Sequence, residues 1–439
     1  MSEPLRVAVV GSGPAGFYAA GALVTGGAQV DMIERLPTPW GLVRLGVAPD
    51  HPTIKSVSRA FEKIAAQDGF RFLGNVEVGR DVQHDELLEL YDAVLYAVGA
   101  QTDRRMGIPG EDLPGSWPAT EFVAWYNGHP DFQDLEFDLS GKRAVVIGNG
   151  NVAVDVARML ALTKDELDPT DTTDAAIDAI ADSGIEEIVM VGRRGPAQAA
   201  FTTPELIELG ELAGADVIVD ASDLDGAEPK DTNAQRNLEV LREYAQHTPS
   251  GKPRRIVLRF FRSPVAILGD ERVTGIELVR NTLDENERAV PTDETEMLDC
   301  DIVFRSVGYR GVALPGIPFD DAGGVIPNDR GRVADRVYVA GWIKRGPSGV
   351  IGTNKKDATE TVELLLADFA DAPRLAKSDG DVDAFLVEHG AHPVIYSGWA
   401  AIDERERTAG ESLGRPRVKL CTWDELLEAA GIAADRDPA

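Results

Sequence analysis

Short apolar runs in this chain lead into glycine-rich turns, and each turn is followed by a segment with the apolar spacing of a helix. One such unit spans residues 5–24 and contains the turn Gly11-Ser12-Gly13-Pro14-Ala15-Gly16. A second spans residues 144–162 and contains the turn Gly148-Asn149-Gly150-Asn151-Val152-Ala153. Both predict a strand, a tight turn and a helix. In that context a GxGxxG or GxGxxA sequence is typical of a dinucleotide-binding loop.

The glycines of such a turn let the backbone approach a diphosphate closely, and the following helix offers free N–H groups to that anion. The sequence therefore predicts two cofactor-binding loops. The predicted contacts are Gly11, Gly13, Pro14, Ala15 and Gly16 in the first loop, and Gly148, Asn149, Gly150, Asn151 and Val152 in the second. The alternative, that each loop is only a tight turn within an α/β domain, remains open.

The residues that follow the two loops differ in charge. After the first loop the next apolar run ends at Glu34, whose carboxylate suits ribose hydroxyls and would repel a 2′-phosphate. After the second loop the next run ends at Arg193 and Arg194, whose guanidinium groups suit a 2′-phosphate. We therefore predict FAD at the first loop and NADP(H) at the second. Arg193 lies beyond the usual spacing of about 20 residues, which an insertion at residues 164–183 would explain.

Composition narrows the class of protein. The 439 residues suit two domains, and 44 basic against 74 acidic residues give a formal net charge of −30. That charge argues against nucleic acid and anionic membrane surfaces as partners. The two cysteines, Cys300 and Cys421, form no CxxC pair, which argues against a disulfide reductase and a cysteine-ligated iron–sulfur cluster. With no signal peptide and no apolar run of about 20 residues, we expect a cytoplasmic protein without a membrane span, and no metal site.

Two similar segments bracket the second loop. Residues 92–100 and 301–309 each begin with Asp, continue as a buried-type strand and reach a glycine. We interpret them as the points where the chain leaves one domain and returns to it. The predicted fold is α/β, with two Rossmann-like dinucleotide-binding domains. The FAD domain comprises residues 1–105 and 312–439, including a C-terminal extension, and the NADP domain comprises residues 106–311.

Longer blocks of the chain resemble the adrenodoxin-reductase-type ferredoxin–NADP⁺ reductases, most closely their actinobacterial branch. The blocks are VAVVGSGPAGFYAA (7–20), PTPWGLVRLGVAPDHP (37–52), YAVGAQ (96–101), VVIGNGNVAVDVAR (145–158), VGRRGPAQAAFTTPEL (191–206), RSVGYRG (305–311) and AGWIKRGPSGVIGTNKKDA (340–358). The second and last blocks are far more specific than a dinucleotide loop. The resemblance implies a glutathione-reductase-like pair of Rossmann domains, with the NADP domain inserted into the FAD domain.

The resemblance also implies further site residues. The flavin is expected to lie against Trp342, Gly349, Val350 and Ile351, with Leu42 nearby, and Glu205 is expected to help hold the NADP ribose or nicotinamide. Val82 and Arg104 complete the predicted cofactor-binding set.

His51 and Glu208 are the candidate catalytic residues. The resemblance implies that His51 faces the nicotinamide, where it could pair with Glu208. On sequence alone a hydrogen-bonded turn histidine and a solvated helical carboxylate remain equally open. Hydride transfer to a flavin needs no general base, so we expect the pair to position the nicotinamide. In the same region Thr203 is predicted to cap a helix that has Pro204 at its first position.

The implied reaction is hydride transfer between NADPH and FAD, followed by single-electron transfer to a ferredoxin-type iron–sulfur protein, by a protein we expect to be a monomer. Such a partner is usually acidic, so docking would need a local basic patch. The candidate patch residues are Lys252, Arg254, Arg255, Lys344, Arg345, Lys355, Lys356, Arg405 and Arg407. Two other functions stay open: the NADPH-oxidising subunit of a glutamate-synthase-like complex, disfavoured by the lack of N-terminal cysteines, and a non-catalytic flavin-binding module.

Overall fold

The computed structural model describes residues 3–349 and 351–432, and its chain divides into two compact units. Unit 1 consists of Met1–Thr102 and Tyr309–Ala439, and unit 2 consists of Asp103–Gly308. The sequence placed the two crossings after residues 105 and 311, and the cofactor assigned to each unit stays a prediction. None of the helices within the described ranges combines the length and apolar character needed to cross a membrane.

The secondary structure alternates between strands and helices through most of both units. The strands are β1 (Arg6–Val10), β2 (Gln29–Ile33), β3 (Phe70–Leu73), β4 (Ala93–Tyr96), β5 (Thr102–Asp103), β6 (Ser116–Pro118), β7 (Arg143–Ile147), β8 (Glu187–Val191), β9 (Ala215–Val219), β10 (Arg254–Arg259), β11 (Arg262–Leu268), β12 (Gly275–Leu283), β13 (Ala289–Asp299), β14 (Ile302–Arg305), β15 (Tyr309–Arg310), β16 (Arg332–Ala334) and β17 (Val337–Val339). The helices are α1 (Pro14–Thr25), α2 (Leu42–Leu45), α3 (Pro52–Lys55), α4 (Ser58–Ala65), α5 (His84–Leu90), α6 (Ala119–Tyr126), α7 (Asn151–Ala161), α8 (Lys164–Leu167), α9 (Asp174–Ala181), α10 (Thr203–Glu211), α11 (Thr232–Gln246), α12 (Trp342–Arg345), α13 (Ile351–Asp368), α14 (Asp379–Glu388), α15 (Tyr396–Glu411) and α16 (Trp423–Ala429).

Unit 1 is built on a sheet with the strand order β16-β17-β4-β1-β2-β3, parallel except for the β16–β17 pair. Strand β1 is buried along its whole length because both faces of the sheet are covered. Val7 and Val9 face a cluster that includes Phe17 of α1 and Val362 of α13. Ala8 faces a separate cluster on the other side. The order places β1 between β2 and β4, so the chain reverses direction across the sheet at the first glycine loop, where α/β sheets bind ligands.

The C-terminal helices belong to the core of unit 1. Trp399 of α15 and Leu426 of α16 lie in the same cluster as Val7. The Trp399 ring meets the Trp40 ring edge to face, with centroids 4.9 Å apart. The C-terminal region therefore packs against the segment that precedes α2, more than 350 residues earlier in the chain.

Unit 2 repeats the plan with a fully parallel sheet of order β6-β14-β7-β8-β10-β9. Strand β7 lies between β14 and β8, so the second glycine loop is also at a point where the strand order reverses. Helices α8 and α9 lie between α7 and β8 and account for the extra residues before Arg193. A separate antiparallel sheet, β11-β12-β13, follows β10.

The two similar segments noted in the sequence play the same structural role. Asp92, just before β4, accepts a hydrogen bond from the backbone N–H of Arg6 at the start of β1 (2.9 Å). Asp301, just before β14, accepts one from the backbone N–H of Arg143 at the start of β7 (2.9 Å). Each carboxylate thus satisfies a backbone donor where two parallel strands begin.

Two element boundaries differ from those that the apolar pattern alone suggests. The apolar pattern predicts a strand over residues 71–78, but β3 ends at Leu73, because Asn75 adopts a positive φ of 61° that takes the backbone out of the strand pairing. The same pattern predicts a late helix that begins at Asp357, whereas α13 begins at Ile351. Its first two turns are rich in polar residues, which hides them from a search for apolar periodicity.

Candidate dinucleotide-binding sites

The first loop needs glycine at two positions for reasons of packing. Gly11 has a φ of 101°, and a Cβ there would lie 2.7 Å from the carbonyl oxygen of Ala97. A Cβ at Gly16 would overlap the carbonyl oxygen of Gly11. Any larger residue would therefore push the turn away from strand β4 or from helix α1.

Gly13 differs from these two glycines because a Cβ there would meet no described atom within 4 Å. Gly13 is the N-cap of α1, and no side chain caps this helix end. The first-turn N–H groups of a helix have no intrahelical acceptor and carry partial positive charge. Open space in front of an uncapped helix end fits a diphosphate group. Pro14 and Ala15 form the start of this helix.

The Glu34 carboxylate holds the first loop by hydrogen bonds. Its Oε2 accepts hydrogen bonds from the backbone N–H (2.9 Å) and the hydroxyl (2.7 Å) of Ser12, and its Oε1 accepts one from the N–H of Leu36 (3.0 Å). The carboxylate predicted from the sequence therefore lies against the loop. Its contact with a ribose stays a prediction, whereas its structural role on Ser12 was not foreseen.

The segment around Trp40 lies directly on the first loop. The N–H of Trp40 donates to the carbonyl of Ser12 (3.0 Å), and a Cβ at Gly41 would lie 2.9 Å from the Cα of Gly13. Trp40 and Gly41 both have positive φ, 83° and 50°. Leu42 follows at the start of α2 with an exposed side chain, so it is available to a ligand.

A buried ion pair anchors this segment to the C-terminal region. Arg44 of α2 bonds the fully buried carboxylate of Glu406 through both terminal nitrogens, at 2.8 and 2.5 Å. Arg417 (2.9 Å) and the N–H of Leu420 (2.9 Å) complete the donors to this carboxylate. Burial raises the pKa of Glu406, but the two arginines outweigh burial, so its pKa lies below the usual value. Glu406 is therefore held as a carboxylate.

The predicted flavin-contact segment begins where β17 ends. The N–H of Gly341 donates to Asp357 of α13 (2.5 Å), which also pairs with Lys344 (3.0 Å). The indole N–H of Trp342 is buried and has no acceptor among the described residues, so it could donate to a ligand. Gly349 is exposed with a φ of 80° and Ile351 begins α13. Val350, also predicted to contact the flavin, lies outside the described residues.

The second loop has the same division between packed and open glycines. Gly148 has a φ of 141°, and a Cβ there would overlap the carbonyl oxygen of Ser306. Gly150 is the N-cap of α7, without a side-chain cap, and a Cβ there would meet no described atom within 4 Å. The space in front of α7 thus fits a diphosphate as well.

Neighbouring side chains attach the second loop to the segments that follow. The side chain of Asn151 accepts a hydrogen bond from the N–H of Thr202 (2.8 Å). The Asn149 amide lies where a Cβ of Gly192 would be, so Gly192 is required for close approach. Val152 is half-buried against the core of unit 2.

Arg193 and Arg194 follow β8 on the turn that begins with Gly192. Arg193 is exposed and Arg194 is half-buried. Across residues 3–349 and 351–432, neither guanidinium makes a hydrogen bond or ion pair, although Arg194 is near enough to contribute to lowering the pKa of Glu287, after Lys230 and Gln198. Arg104, also predicted to bind cofactor, is exposed and donates its N–H to the carbonyl of Gly308 (2.8 Å). The two arginines on the turn are suitably placed for an anionic ligand.

Arg158 of α7 was missed by the sequence reasoning. Its side chain is only 2% exposed and bonds the Asp155 carboxylate (3.0 Å) and Glu208, with Glu205 at 3.6 Å. The predicted residues Glu205 and Glu208 therefore share one helix face of α10 and one buried cation. The available signal was a lone basic residue within the mostly apolar second half of α7.

The predicted cap of α10 was wrong by one residue. Thr202 is the N-cap, with extended backbone, and its carbonyl accepts the first intrahelical bond, from Leu206 (3.2 Å). Thr203 is the first helical residue, and its hydroxyl bonds Asn237 (2.7 Å) instead of capping the helix. Pro204 consequently occupies the second position.

Comparison with known proteins gives a consistent result. The pyridine nucleotide-disulphide oxidoreductase family model matches residues 5–191. NADPH-ferredoxin reductase FprA of Mycobacterium tuberculosis is 52% identical over 450 residues, covering 97% of this chain and 99% of that protein. The mitochondrial NADPH:adrenodoxin oxidoreductase of Salvelinus fontinalis is 42% identical over 452 residues, covering 97% and 91%. The solved structure of Mycobacterium tuberculosis FprA in complex with NADPH matches with a TM-score of 0.95 at 51% identity, covering 98% of this chain and all of that one.

The chain belongs to the adrenodoxin-reductase-type ferredoxin–NADP⁺ reductase family. The resemblance and the fold class expected from the sequence are confirmed. Cys300 and Cys421 are both free, and burial raises the pKa of their thiols to about 12 and about 11, so neither is held as the thiolate that disulfide exchange requires.

One residue predicted to contact a cofactor in this reductase is enclosed by protein side chains. Val82 is buried in the unit 1 cluster that includes Leu87, so its side chain packs against protein. His51 is buried and precedes α3, with its carbonyl accepting from the N–H of Lys55 (3.2 Å). The role of His51 at the nicotinamide stays a prediction.

Several residues of the predicted basic patch are occupied within the fold of the reductase. Lys252 donates to the carbonyls of Leu212 and Ala215, and Arg254 donates to the carbonyls of Leu160, Leu162 and Ile180. Arg255 pairs with Glu187, Lys344 with Asp357, and Arg407 with Asp403. Arg345 bonds Ser348 and Asn354. Lys355 and Lys356 are exposed on the first turns of α13, as is Arg405 on α15. The N–H donors of Lys252, Arg254 and Lys344 are thus used within the fold, and the docking role of the basic patch stays a prediction.

Proposed function

We propose that the chain is a flavoprotein ferredoxin–NADP⁺ reductase, with FAD bound by unit 1 and NADP(H) by unit 2. One observation carries the assignment. Each unit places open space in front of an uncapped helix N-terminus, at Gly13 and at Gly150. In unit 1 the strand after the loop is followed directly by a carboxylate, Glu34. In unit 2 the strand after the loop is followed by Gly192 and then by Arg193 and Arg194, which make no ion pair with any described residue. The close relatives are NADPH-ferredoxin reductases.

The protein and the flavin divide the chemistry between them. Bound FAD supplies the redox steps, which are hydride exchange with NADPH and single-electron transfer to an iron–sulfur protein. The first loop, braced by Glu34, binds the diphosphate of FAD at the start of α1. Gly341 and Trp342, held to α13 through Asp357, line the flavin. These residues orient the cofactor and keep its position constant through turnover.

Unit 2 selects and orients the nicotinamide nucleotide. The second loop binds the diphosphate, and Arg193 and Arg194 bind the 2′-phosphate that distinguishes NADPH from NADH. Glu205 and Glu208 lie on α10 and pair with Arg158. The Asn151–Thr202 hydrogen bond holds the start of α10 against the second loop. We infer that these carboxylates and His51 position the nicotinamide, since the reaction requires no general base.

The partner is an iron–sulfur protein of ferredoxin or adrenodoxin type. Because Lys252, Arg254 and Lys344 are committed to the fold, we infer that the exposed cations Lys355 and Lys356 contribute to docking. The protein is expected to act as a monomer in the cytoplasm. Electron transfer to an acidic ferredoxin should slow as ionic strength rises.

An anaerobic absorbance titration tests the proposal. The purified protein should be yellow and should bleach with about one equivalent of NADPH, but only with excess NADH. Arg193→Ala should raise the KM for NADPH roughly ten- to a hundredfold, as loss of a charge-assisted contact predicts, and leave NADH almost unchanged.

Gly150→Ala is the matched comparison for Arg193→Ala. Its backbone, with φ −101° and ψ 174°, accepts alanine without strain, and the added methyl group meets no described atom within 4 Å. The variant should unfold at the same temperature as the parent but bind both nucleotides poorly, because the methyl group occupies the space for the diphosphate. A colourless protein, or equal loss of both nucleotides in Arg193→Ala, would contradict the assignments.

A further inference from the structure

The turn that carries Arg193 and Arg194 is held by each of its carbonyl groups in succession. The carbonyl of Gly192 accepts from the N–H of Arg262 (2.9 Å), and that of Arg194 accepts from the N–H of Phe261 (3.1 Å). The carbonyl between them, that of Arg193, accepts from the side-chain amide of Asn281 (2.8 Å). Two of these three donors are backbone groups, so only the third is set by the identity of a side chain.

The fold places the Asn281 side chain in a buried position where it makes this contact. It lies in β12, 88 residues after Arg193, and its side chain is almost wholly buried. Its amide nitrogen has two hydrogens, which go to the Arg193 carbonyl and to the hydroxyl of Ser263 (2.8 Å). A carbonyl only accepts hydrogen bonds, so the nitrogen of the amide must face Arg193.

The backbone of Asn281 bonds the same segment, Phe261 and Arg262, that holds the turn. Its own N–H donates to the carbonyl of Phe261 (2.8 Å), a residue with a positive φ of 56°. The strand pairing of β12 with β13 is irregular between Val279 and Asn281. The backbone bond to Phe261 does not depend on the residue type at position 281. Substitution there therefore removes the contact to Arg193 and keeps the bond to Phe261.

The direction of the two guanidinium groups depends on this turn. Neither Arg193 nor Arg194 makes a side-chain hydrogen bond or ion pair to another described residue that could aim it. Long side chains without such partners point where their backbone directs them, and ordering them on binding costs free energy. A turn held at all three carbonyls lowers that cost for a ligand that needs two arginines at once.

We propose that Asn281 is a positioning residue for nucleotide selectivity, because its amide holds the Arg193 carbonyl and thereby aims the arginine pair at the 2′-phosphate. The inference rests on the proposed function, in which unit 2 binds NADP(H). Asn281 does not touch the nucleotide and acts through the turn.

The test uses the full-length flavoprotein and binding of 2′,5′-ADP, measured by calorimetry against 5′-AMP. Asn281→Ala should weaken 2′,5′-ADP about three- to tenfold, the range expected for one hydrogen bond, and leave 5′-AMP within about twofold. In turnover with an artificial acceptor, the KM for NADPH should rise by the same factor with kcat and the KM for NADH unchanged. Ser263→Ala is the matched control, because it removes the other acceptor of the same amide and should leave selectivity intact.

A double variant separates positioning from general damage. If Asn281 acts through Arg193, then adding Asn281→Ala to Arg193→Ala should weaken 2′,5′-ADP far less than it does in the parent. Equal weakening of 2′,5′-ADP and 5′-AMP, or full additivity, would overturn the inference. Asn281→Leu, which keeps the volume and removes the amide, decides the matter if the alanine variant unfolds early. Failure of the proposed function would look different: the parent protein itself would not prefer 2′,5′-ADP to 5′-AMP.

Discussion

Glu406→Gln should show most clearly how much more a buried ion pair of unit 1 contributes to stability than an exposed one. The change keeps the size of the side chain and the acceptor for the N–H of Leu420, and it removes one negative charge. Arg44 and Arg417 would then remain buried without that carboxylate, and within the described ranges only Arg417 pairs with another, Asp403 at 2.7 Å. Arg44 belongs to the segment that lies on the first glycine loop, so the same change bears on FAD retention.

The magnitude follows from burial. Removing one partner of a buried ion pair costs about 3–5 kcal/mol, because the other charge is left without compensation. The Gln side chain retains part of the hydrogen bonding, so we expect about 3 kcal/mol. For a unit of roughly 200 residues, each kcal/mol lowers the unfolding temperature by about 2–4 °C, which gives a shift of roughly 6–12 °C.

Differential scanning calorimetry and the rise of flavin fluorescence on heating would measure this shift together. Asp383→Asn is the matched control, since it makes the same acid-to-amide change at an exposed carboxylate on Arg71 in unit 1. That exposed pair should contribute at most about 1 kcal/mol. Equal shifts in the two variants would refute the reasoning and would mean that desolvation of the Glu406 cluster cancels its attraction.

The pH dependence of this difference has a definite sign. Although burial raises the pKa of Glu406, Arg44 and Arg417 lower it overall in the folded state. Its contribution is therefore complete above the unfolded pKa of about 4.3 and is lost as pH falls through the lower folded value. The gap between the parent and Glu406→Gln should be constant from about pH 6 to 8 and should narrow only in acid. A gap that widened in acid would contradict the assignment of Glu406 as a carboxylate.

Two further predictions concern the loops and the thiols. Gly11→Ala should lower the unfolding temperature, because its Cβ would lie 2.7 Å from the Ala97 carbonyl oxygen at a φ of 101°. Gly13→Ala should fold normally but lose FAD, as measured by the flavin absorbance of the purified protein. Normal FAD content in Gly13→Ala would contradict the assignment of the open space to a diphosphate. Because burial raises the pKa of Cys300 to about 12 and of Cys421 to about 11, alkylation by iodoacetamide at pH 8 should be much slower than for a free thiol and should accelerate on unfolding, and rapid labelling of the native protein would contradict this.

The sequence predicted the parts of the site that are encoded locally. A strand, a glycine turn and a helix lie within about 20 residues, so the positions of Gly11 and Gly148 follow from the order of residues and from strand geometry. Glu34 and Arg193 could also be identified, because the strand after each loop lies beside it in a parallel sheet. The fold class and function derived from these features and from the longer blocks are confirmed by the comparisons.

What holds these residues in place could not be predicted in the same way. Glu406 reaches Arg44 across 362 positions, and Asn281 reaches Arg193 across 88. In the sequence Glu406 is one acid in a charged stretch, and Asn281 is one polar residue in a strand. Neither shows a periodicity or a motif that marks it as buried.

The basic patch shows the opposite case, in which a visible sequence feature includes side chains whose donors are already used within the fold. Cations close together in the sequence, such as Lys252 and Arg254, suggest a docking surface, yet their donors bond the carbonyls at the ends of nearby helices and strands. The net charge of −30 limits free cations further, because each of the 44 basic residues has on average more than one carboxylate available as a partner. The arginines of the Gly192–Gly195 turn are informative for the same reason. In an acidic protein, two adjacent cations that make no ion pair among the described residues, on a turn held by hydrogen bonds to its carbonyl groups, are better explained by an anionic ligand than by stability.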